Sequence, residues 1–319
     1  WRKPPRSCSS RTDRGRPLNL TKLLKDRTAG ELAPAIVAGV AFLILFLTPI
    51  QTLLRDWWND PEAAHGLLLG PLAVWLAWKS GIRKETSPQM GLGLLIILAA
   101  VALRYASGLA AELFTMRMSL FMALAGVVIF LWGFRQLLHW WLPAALLVLS
   151  VPIPDVILGT IALPLQLQAS QMGASLLEWR HVPAQLAGNV IHIPGQSLFV
   201  TEACSGLRSL TALISLGLLM GGLWLKSPWL RVAIVALTIP VAMVINGFRV
   251  FLTGFLVYFV DPAIGEGFMH YTEGWILFLV AFLILGAFTW GAVALEGFFR
   301  RGPSRKLGGN GETVMEGAQ

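Results

Sequence analysis

Apolar runs recur along almost the whole of this chain, separated by short segments that collect the charged residues. A helix needs about 20 residues to cross the hydrocarbon layer of a bilayer. On that measure the pattern predicts eight crossings, near 34–54, 66–78, 91–107, 119–134, 140–154, 206–225, 232–259 and 275–296. The runs at 66–78 and 140–154 are short and must borrow flanking residues to reach across. The expected fold class is an all-α polytopic membrane protein.

One long segment, 155–203, departs from the spanning pattern. Its first part, VILGTIALPLQLQASQMGASLLEW over 156–179, reads as a helix, yet Pro164, Gln166, Gln168, Ser170, Gln171 and Ser175 interrupt its apolar surface. That composition suits a helix lying on the outer surface or packed in a cavity. A ninth crossing here would carry Lys226, Arg231 and the basic C-terminal tail to the opposite side, against the bias of charge. The second part, NVIHIPGQSLFV, shows β-branched alternation around Pro194 and Gly195, the pattern of a small hairpin. It delivers the chain from the aqueous side to VTEACSGLRSL at 200–210. No sequence repeat marks a two-fold transporter architecture, and Pro240 is the one candidate break in the seventh crossing.

Composition agrees: 55% of residues are hydrophobic, 13% are charged and the mean hydropathy is +0.67, against roughly 25% charged residues in soluble domains. Charge placement adds direction, because cytoplasmic loops retain Lys and Arg. With the N-terminal tail inside, nineteen of the 25 fall on the inner side, among them Lys79, Arg83, Lys84, Arg135, Lys226 and Arg231. The other six, Arg55, Arg104, Arg117, Arg180, Arg208 and Arg249, lie outside or within crossings. The net charge of +8 therefore reflects topology beside an anionic leaflet, not nucleic-acid binding. This sidedness makes both termini cytoplasmic. The ends, 1–33 and 297–319, read as tails without stable structure around a membrane domain at 34–296. No cleavable leader is expected, since the first apolar run is long enough to remain as an anchor.

Two cysteines, Cys8 in the tail and Cys204 at the outer edge of the sixth crossing, are held apart by the membrane, which excludes an intramolecular disulfide. A free thiol on the oxidising side suggests chemistry. Ser205, Gly206 and an apolar run follow Cys204, which puts its sulfur near a helix N-terminus, where unpaired N–H groups and the helix dipole lower a thiol's pKa. Arg208, at i+4, either lowers it further or pairs with Glu202. The plainer reading makes Cys204 a packing residue and Arg208 an interfacial cation. VINGFRVFLTG places Asn246, Arg249 and Thr253 on one helical face. A guanidinium in a spanning helix marks a functional site by default, the alternative being a structural ion pair with Glu202, Asp261 or Glu273. GEGFMHYTEGW, read as the outer loop before the eighth crossing, supplies His270, a side chain that exchanges protons near neutral pH. Its i+3 relation to Glu273 suggests half a metal site, but no matching ligand set accompanies it, and no metal or other cofactor is expected. Cys204, Arg249 and His270 together suit acyl transfer, as thiolate nucleophile, oxyanion-stabilising cation and proton carrier. Glu202, Ser205, Arg208, Asn246, Glu273 and His65 complete the candidate set as supporting or substrate-binding groups. For His65, a simple turn position before the second crossing is an equal alternative.

EACSGLRSL, NGFRV and MHYTEG, in this order and spacing, resemble the signature motifs of the exosortase/archaeosortase family of membrane-embedded cysteine transpeptidases. WWNDPEAAHG at 57–66 and LVLSVPIP at 147–154 resemble that family's N-terminal half, so the likeness covers roughly 35–295. It implies that the family's cysteine is Cys204, its arginine Arg249 and its proton-exchanging histidine His270. It further implies substrate proteins that end in a Pro-Glu-Pro-type motif, one spanning helix and a basic cluster. These would be cut at the periplasmic face of a bacterial inner membrane, where the resemblance puts the chain, and passed to an acceptor, in systems tied to exopolysaccharide or biofilm. Two other classes suit the same residues. One is a polysaccharide-export or anion transporter that uses Arg249 and outer acidic groups as a path; the other is an outer-face acyltransferase acting on lipid or glycan through Cys204. Expected partners are sorting-tail substrates and membrane lipid, with no nucleic acid.

Overall fold

The computed structural model describes residues 29–60, 63–200, 207–260 and 268–300. Helices dominate these residues: α1 (Ala29–Leu45), α2 (Leu47–Asn59), α3 (Gly66–Ser80), α4 (Met90–Leu109), α5 (Leu113–Trp132), α6 (Phe134–His139), α7 (Trp141–Leu149), α8 (Asp155–Trp179), α9 (Leu207–Trp224), α10 (Pro228–Phe259) and α11 (Phe268–Arg300). Between α8 and α9 lies an antiparallel sheet in the order β1 (Gln185–Ala187), β2 (Val190–Ile193), β3 (Gln196–Phe199).

Four helices among the described residues are long and apolar enough to cross a membrane: α4, α5, α10 and Ile276–Phe299 of α11. A fifth results if α1 and α2, bent by 58° at their break, count as one span. The remaining expected crossings are shorter. α3 has 15 residues, a rise of about 22 Å, and the run at 140–154 is split at Trp140 into the six-residue α6 and nine-residue α7. α9 contributes only Leu210–Trp224 as a short apolar helix. The short pieces complete one another: α3 runs antiparallel to α6–α7, and the buried Gln136 joins their ends by donating to Gly81 O at 3.2 Å and accepting from Arg83 N at 3.0 Å. Pro240 does not break α10, which continues for 32 residues.

α4 and α5 form a hairpin whose close approach depends on glycine. A Cβ on Gly93 would lie 2.5 Å from the Phe130 backbone, and one on Gly126 would lie 2.8 Å from Ile97. The far side of α4 exposes Leu92, Leu94, Leu95 and Leu98, a continuous apolar surface of the kind that faces lipid.

α9, α10 and α11 make the second half. Leu210, Leu213, Ala242 and Ala281 share one buried cluster, and Met220, Ile234 and Leu285 share the next. Gly221 lies against Arg231, and Lys226 N donates to Glu296 at 3.0 Å. These contacts make α9 and α11 both antiparallel to α10.

Of the two sequence-based pictures of α8, a helix on the outer surface or one packed in a cavity, the contacts favour a helix packed along one side against α10. Gly247 meets Met172, Gly173 meets Val250, and Gly254 meets Leu177, pairs that ascend in both helices, so α8 runs lengthwise along α10 in the same direction. Its polar residues divide between two environments: Gln166 and Ser170 are buried, with Ser170 Oγ donating to Gln166 O, whereas Gln168, Gln171 and Ser175 are exposed. The sheet packs over this helix pair through Ile191, Ile193, Leu177 and Val257. The hairpin expected around Pro194–Gly195 is β2–β3, with Gly195 at φ +85°, where Pro followed by a positive-φ Gly makes a type II turn. β1 adds a strand that the hairpin reading left out.

The halves meet where Leu142 packs on Gly222 and the Arg231 guanidinium lies 4.9 Å over the Trp141 ring. Arg83, Arg231 and Lys226 therefore gather at one end of the bundle. The opposite end carries the start of α9, the ends of α8 and α10, and the sheet.

Candidate active site

At that opposite end, the two upstream motifs come together. Trp57 Nε1 donates to Ser150 O at 2.7 Å, and His65 Nε2 lies 3.1 Å from Leu149 O. A carbonyl only accepts, so this His65 nitrogen carries the proton. The Trp57 ring lies flat on Gly66, where a Cβ would fall 2.1 Å from Nε1. WWNDPEAAHG and LVLSVPIP thus form one structural unit, and His65 has at least a tethering role.

A cleft of about 610 Å³ opens beside this unit, within the size range of small-molecule and peptide side-chain sites. Phe114, Met118, Val148, Leu149 and the stretch from Val151 to Pro154 give it apolar walls, Asp56, Asp60, Glu112 and Arg117 supply charge, and Thr211 and Ile214 close it from α9. Arg117 is 3% exposed, and its guanidinium donates to Asp56 at 2.6 Å. Glu112 caps α5, accepting from Phe114 N at 2.9 Å and from Thr115 N at 2.7 Å, with a short bond from the Thr115 hydroxyl. The Thr115 hydroxyl, then the backbone donors and the Arg117 charge, hold the Glu112 carboxyl below the ordinary value against the opposing effect of desolvation.

The sequence-predicted groups sit on the other flank of α9. Asn246 is 6% exposed and Arg249 is partly buried, one turn apart on α10. Thr253 donates its hydroxyl to Arg249 O at 3.0 Å. Ala242 packs with Leu213 of α9 and Ala281 of α11, which fixes the relative heights of the three helices. Arg249 lies seven positions above Ala242, about 10 Å along the axis. The same climb reaches the start of α9 at Leu207 and the second turn of α11 at Gly274. Arg249 is therefore level with the first turn of α9 and within about a turn of His270, which the structure places in the first turn of α11 and not in a loop. Cys204, Glu202, Ser205 and Asp261 lie outside the described residues, as do the side chains of Arg208, His270 and Glu273. Ion pairing of Arg249 with Glu202, Asp261 or Glu273 falls there too.

Sequence reading assigned no role to Asp56, Glu112 or Arg117. The available signal was Arg117 itself, a cation inside an apolar run; its partner lies 61 positions away, and nothing local announces it.

Fold and surface define a polytopic, mostly helical membrane protein. The transmembrane exosortase family (Exosortase_EpsH) matches residues 57–287, well over half of the chain, which therefore belongs to that family. No curated protein and no solved structure matches it.

Proposed function

We propose that the chain is a membrane cysteine peptidase and transpeptidase working at the periplasmic end of the bundle, with Cys204 as nucleophile. The supporting observation is the common height of Arg249, the start of α9 and the first turns of α11. In this reading the Cys204 thiolate attacks the carbonyl carbon at the scissile bond. The C–S bond forms, and the carbonyl π pair moves to oxygen, where the Arg249 guanidinium donates to the oxyanion. Collapse restores the C=O and breaks the C–N bond, and the imidazolium of His270 protonates the leaving amine. An acceptor amine or water then gives its proton to His270, attacks the thioester, and releases Cys204.

The substrate is a protein with a C-terminal sorting tail: a Pro-Glu-Pro-type motif, one spanning helix and a basic cluster, anchored in the inner membrane beside the enzyme. Its motif reaches the thiol through the cleft at Asp56, His65 and Arg117, because Thr211 and Ile214 of α9 line that cleft one and two turns beyond the start of the helix. Glu202, Ser205 and Arg208 tune the thiol, and Glu273 orients His270. Both termini are cytoplasmic, and the role belongs to exopolysaccharide or biofilm assembly. The transporter reading gains no support from α10, which is unbroken at Pro240.

The test is processing of a co-expressed exported reporter bearing such a tail. Cys204→Ala should abolish cleavage while the protein accumulates in the membrane; unimpaired cleavage removes the assigned nucleophile.

A further inference from the structure

Asn246 presents a puzzle that packing alone does not resolve. Its side chain is 6% exposed, and Nδ2 has no hydrogen-bond partner among the described residues. A buried amide donor without an acceptor is costly, and an apolar side chain of similar shape would be the better packing choice. Unpaired buried donors that persist in a fold cluster at functional sites.

The location points to a use. Asn246 lies one turn above Ala242, which packs with Leu210 and Leu213 of α9, so its position is level with the first turn of α9. Arg249 is one further turn along, at i+3 on the same face. The next residue, Gly247, rests on Met172 of α8, which brings this part of α10 close against the neighbouring helix. Preorganised donors of this kind act most strongly where charge develops during reaction, since they need no reorientation at that moment.

We infer that Asn246 is a catalytic donor, its Nδ2–H completing, with Arg249, the pocket for the carbonyl oxygen that becomes negative during thiol attack. This rests on the cysteine-peptidase reading above. Arg249 supplies the charge, and Asn246 supplies a neutral, directional hydrogen bond that strengthens as the carbonyl oxygen gains negative charge. No electron or proton leaves Asn246 in the step; its N–H stays bonded throughout.

The experiment uses the full chain in proteoliposomes with a purified reporter ending in a Pro-Glu-Pro motif, an apolar helix and an arginine cluster. Turnover, KM and thermal unfolding are measured for Asn246→Leu, Asn246→Gln and Cys204→Ala. Asn246→Leu should lower kcat about 10²–10³-fold, the effect of losing one oxyanion donor, with little change in KM and a midpoint of unfolding equal to or above wild type. Asn246→Gln, which keeps a donor on a longer arm, should retain more turnover than Asn246→Leu. Wild-type kcat in folded Asn246→Leu overturns the inference, as does a fall in activity matched by a fall in stability, which would make the residue structural. Turnover lost in Cys204→Ala but intact in Asn246→Leu sinks this inference alone; turnover surviving in Cys204→Ala sinks the peptidase reading and this inference with it.

Discussion

Arg117 shows what a single charged side chain does inside an apolar run. It is 3% exposed, and its ion pair with Asp56 at 2.6 Å, backed by longer bonds to Thr52 O and Oγ1, offsets the cost of burial. Removing Asp56 strands the cation. Breaking a buried pair costs several kcal/mol, and Asp56 keeps a third of its side chain exposed, so Asp56→Ala should lose about 2–3 kcal/mol in thermal unfolding. The double change Asp56→Leu with Arg117→Met should recover most of that loss, because it buries no unpaired charge. Glu112 makes a pH-dependent contribution whose sign follows from its depressed pKa. The folded state holds the carboxylate more tightly than the unfolded chain, so the stabilisation is full above the unfolded pKa and disappears as pH falls through the lower folded value. The gap in melting temperature between wild type and Glu112→Ala should be constant near neutrality and close on acidification below the ordinary carboxylate range. The sequence displayed Arg117 as an anomaly, but a partner 61 positions away becomes visible only once α2 and α5 are packed.

Elements were legible where their residues carry their own instructions. Pro194–Gly195 encodes the β2–β3 turn, whereas β1 is the three-residue strand QLA, too short to alternate visibly, and forms because β2 offers it an edge. GEGFMHYTEGW reads as loop from its glycines and polar groups, yet from Phe268 onward it continues a 33-residue helix, since extending a helix costs far less than starting one. The direction of α8 was hidden in small residues. Gly173, Gly247 and Gly254 let the α8 and α10 backbones approach, the packing used between helices in membranes. A Cβ on Gly173 would lie 2.5 Å from Val250, so Gly173→Leu should cost about 1–3 kcal/mol by overpacking and reduce reporter processing by shifting Asn246 and Arg249. Gly247→Ala should be milder, because the atom it meets is in the flexible Met172 side chain.

At the scale of the whole molecule, the charge pattern and the architecture agree on two unlike ends. Arg83, Lys226 and Arg231 gather at one, and the cleft, the sheet and the start of α9 lie at the other. In a cysteine-free background, Ala187→Cys in β1 should react with a membrane-impermeant maleimide in intact cells, and Glu85→Cys only after the cells are opened; the reverse would invert the orientation. Eight apolar runs were evident in the sequence, but how far each one reaches was not, because α3 and the α6–α7 pair are short helices stabilised by each other, a property of pairing that no single run displays. The proposed convergence of Cys204, Arg249 and His270 is tested most directly by the titration of the Cys204 thiol, followed as its alkylation rate against pH in a Cys8→Ser background. Convergence predicts an apparent pKa well below the roughly 8.5 of a free thiol in the wild type, moving back toward that value in Arg249→Met and His270→Ala. A thiol that titrates like free cysteine, or one that neither substitution moves, would contradict it.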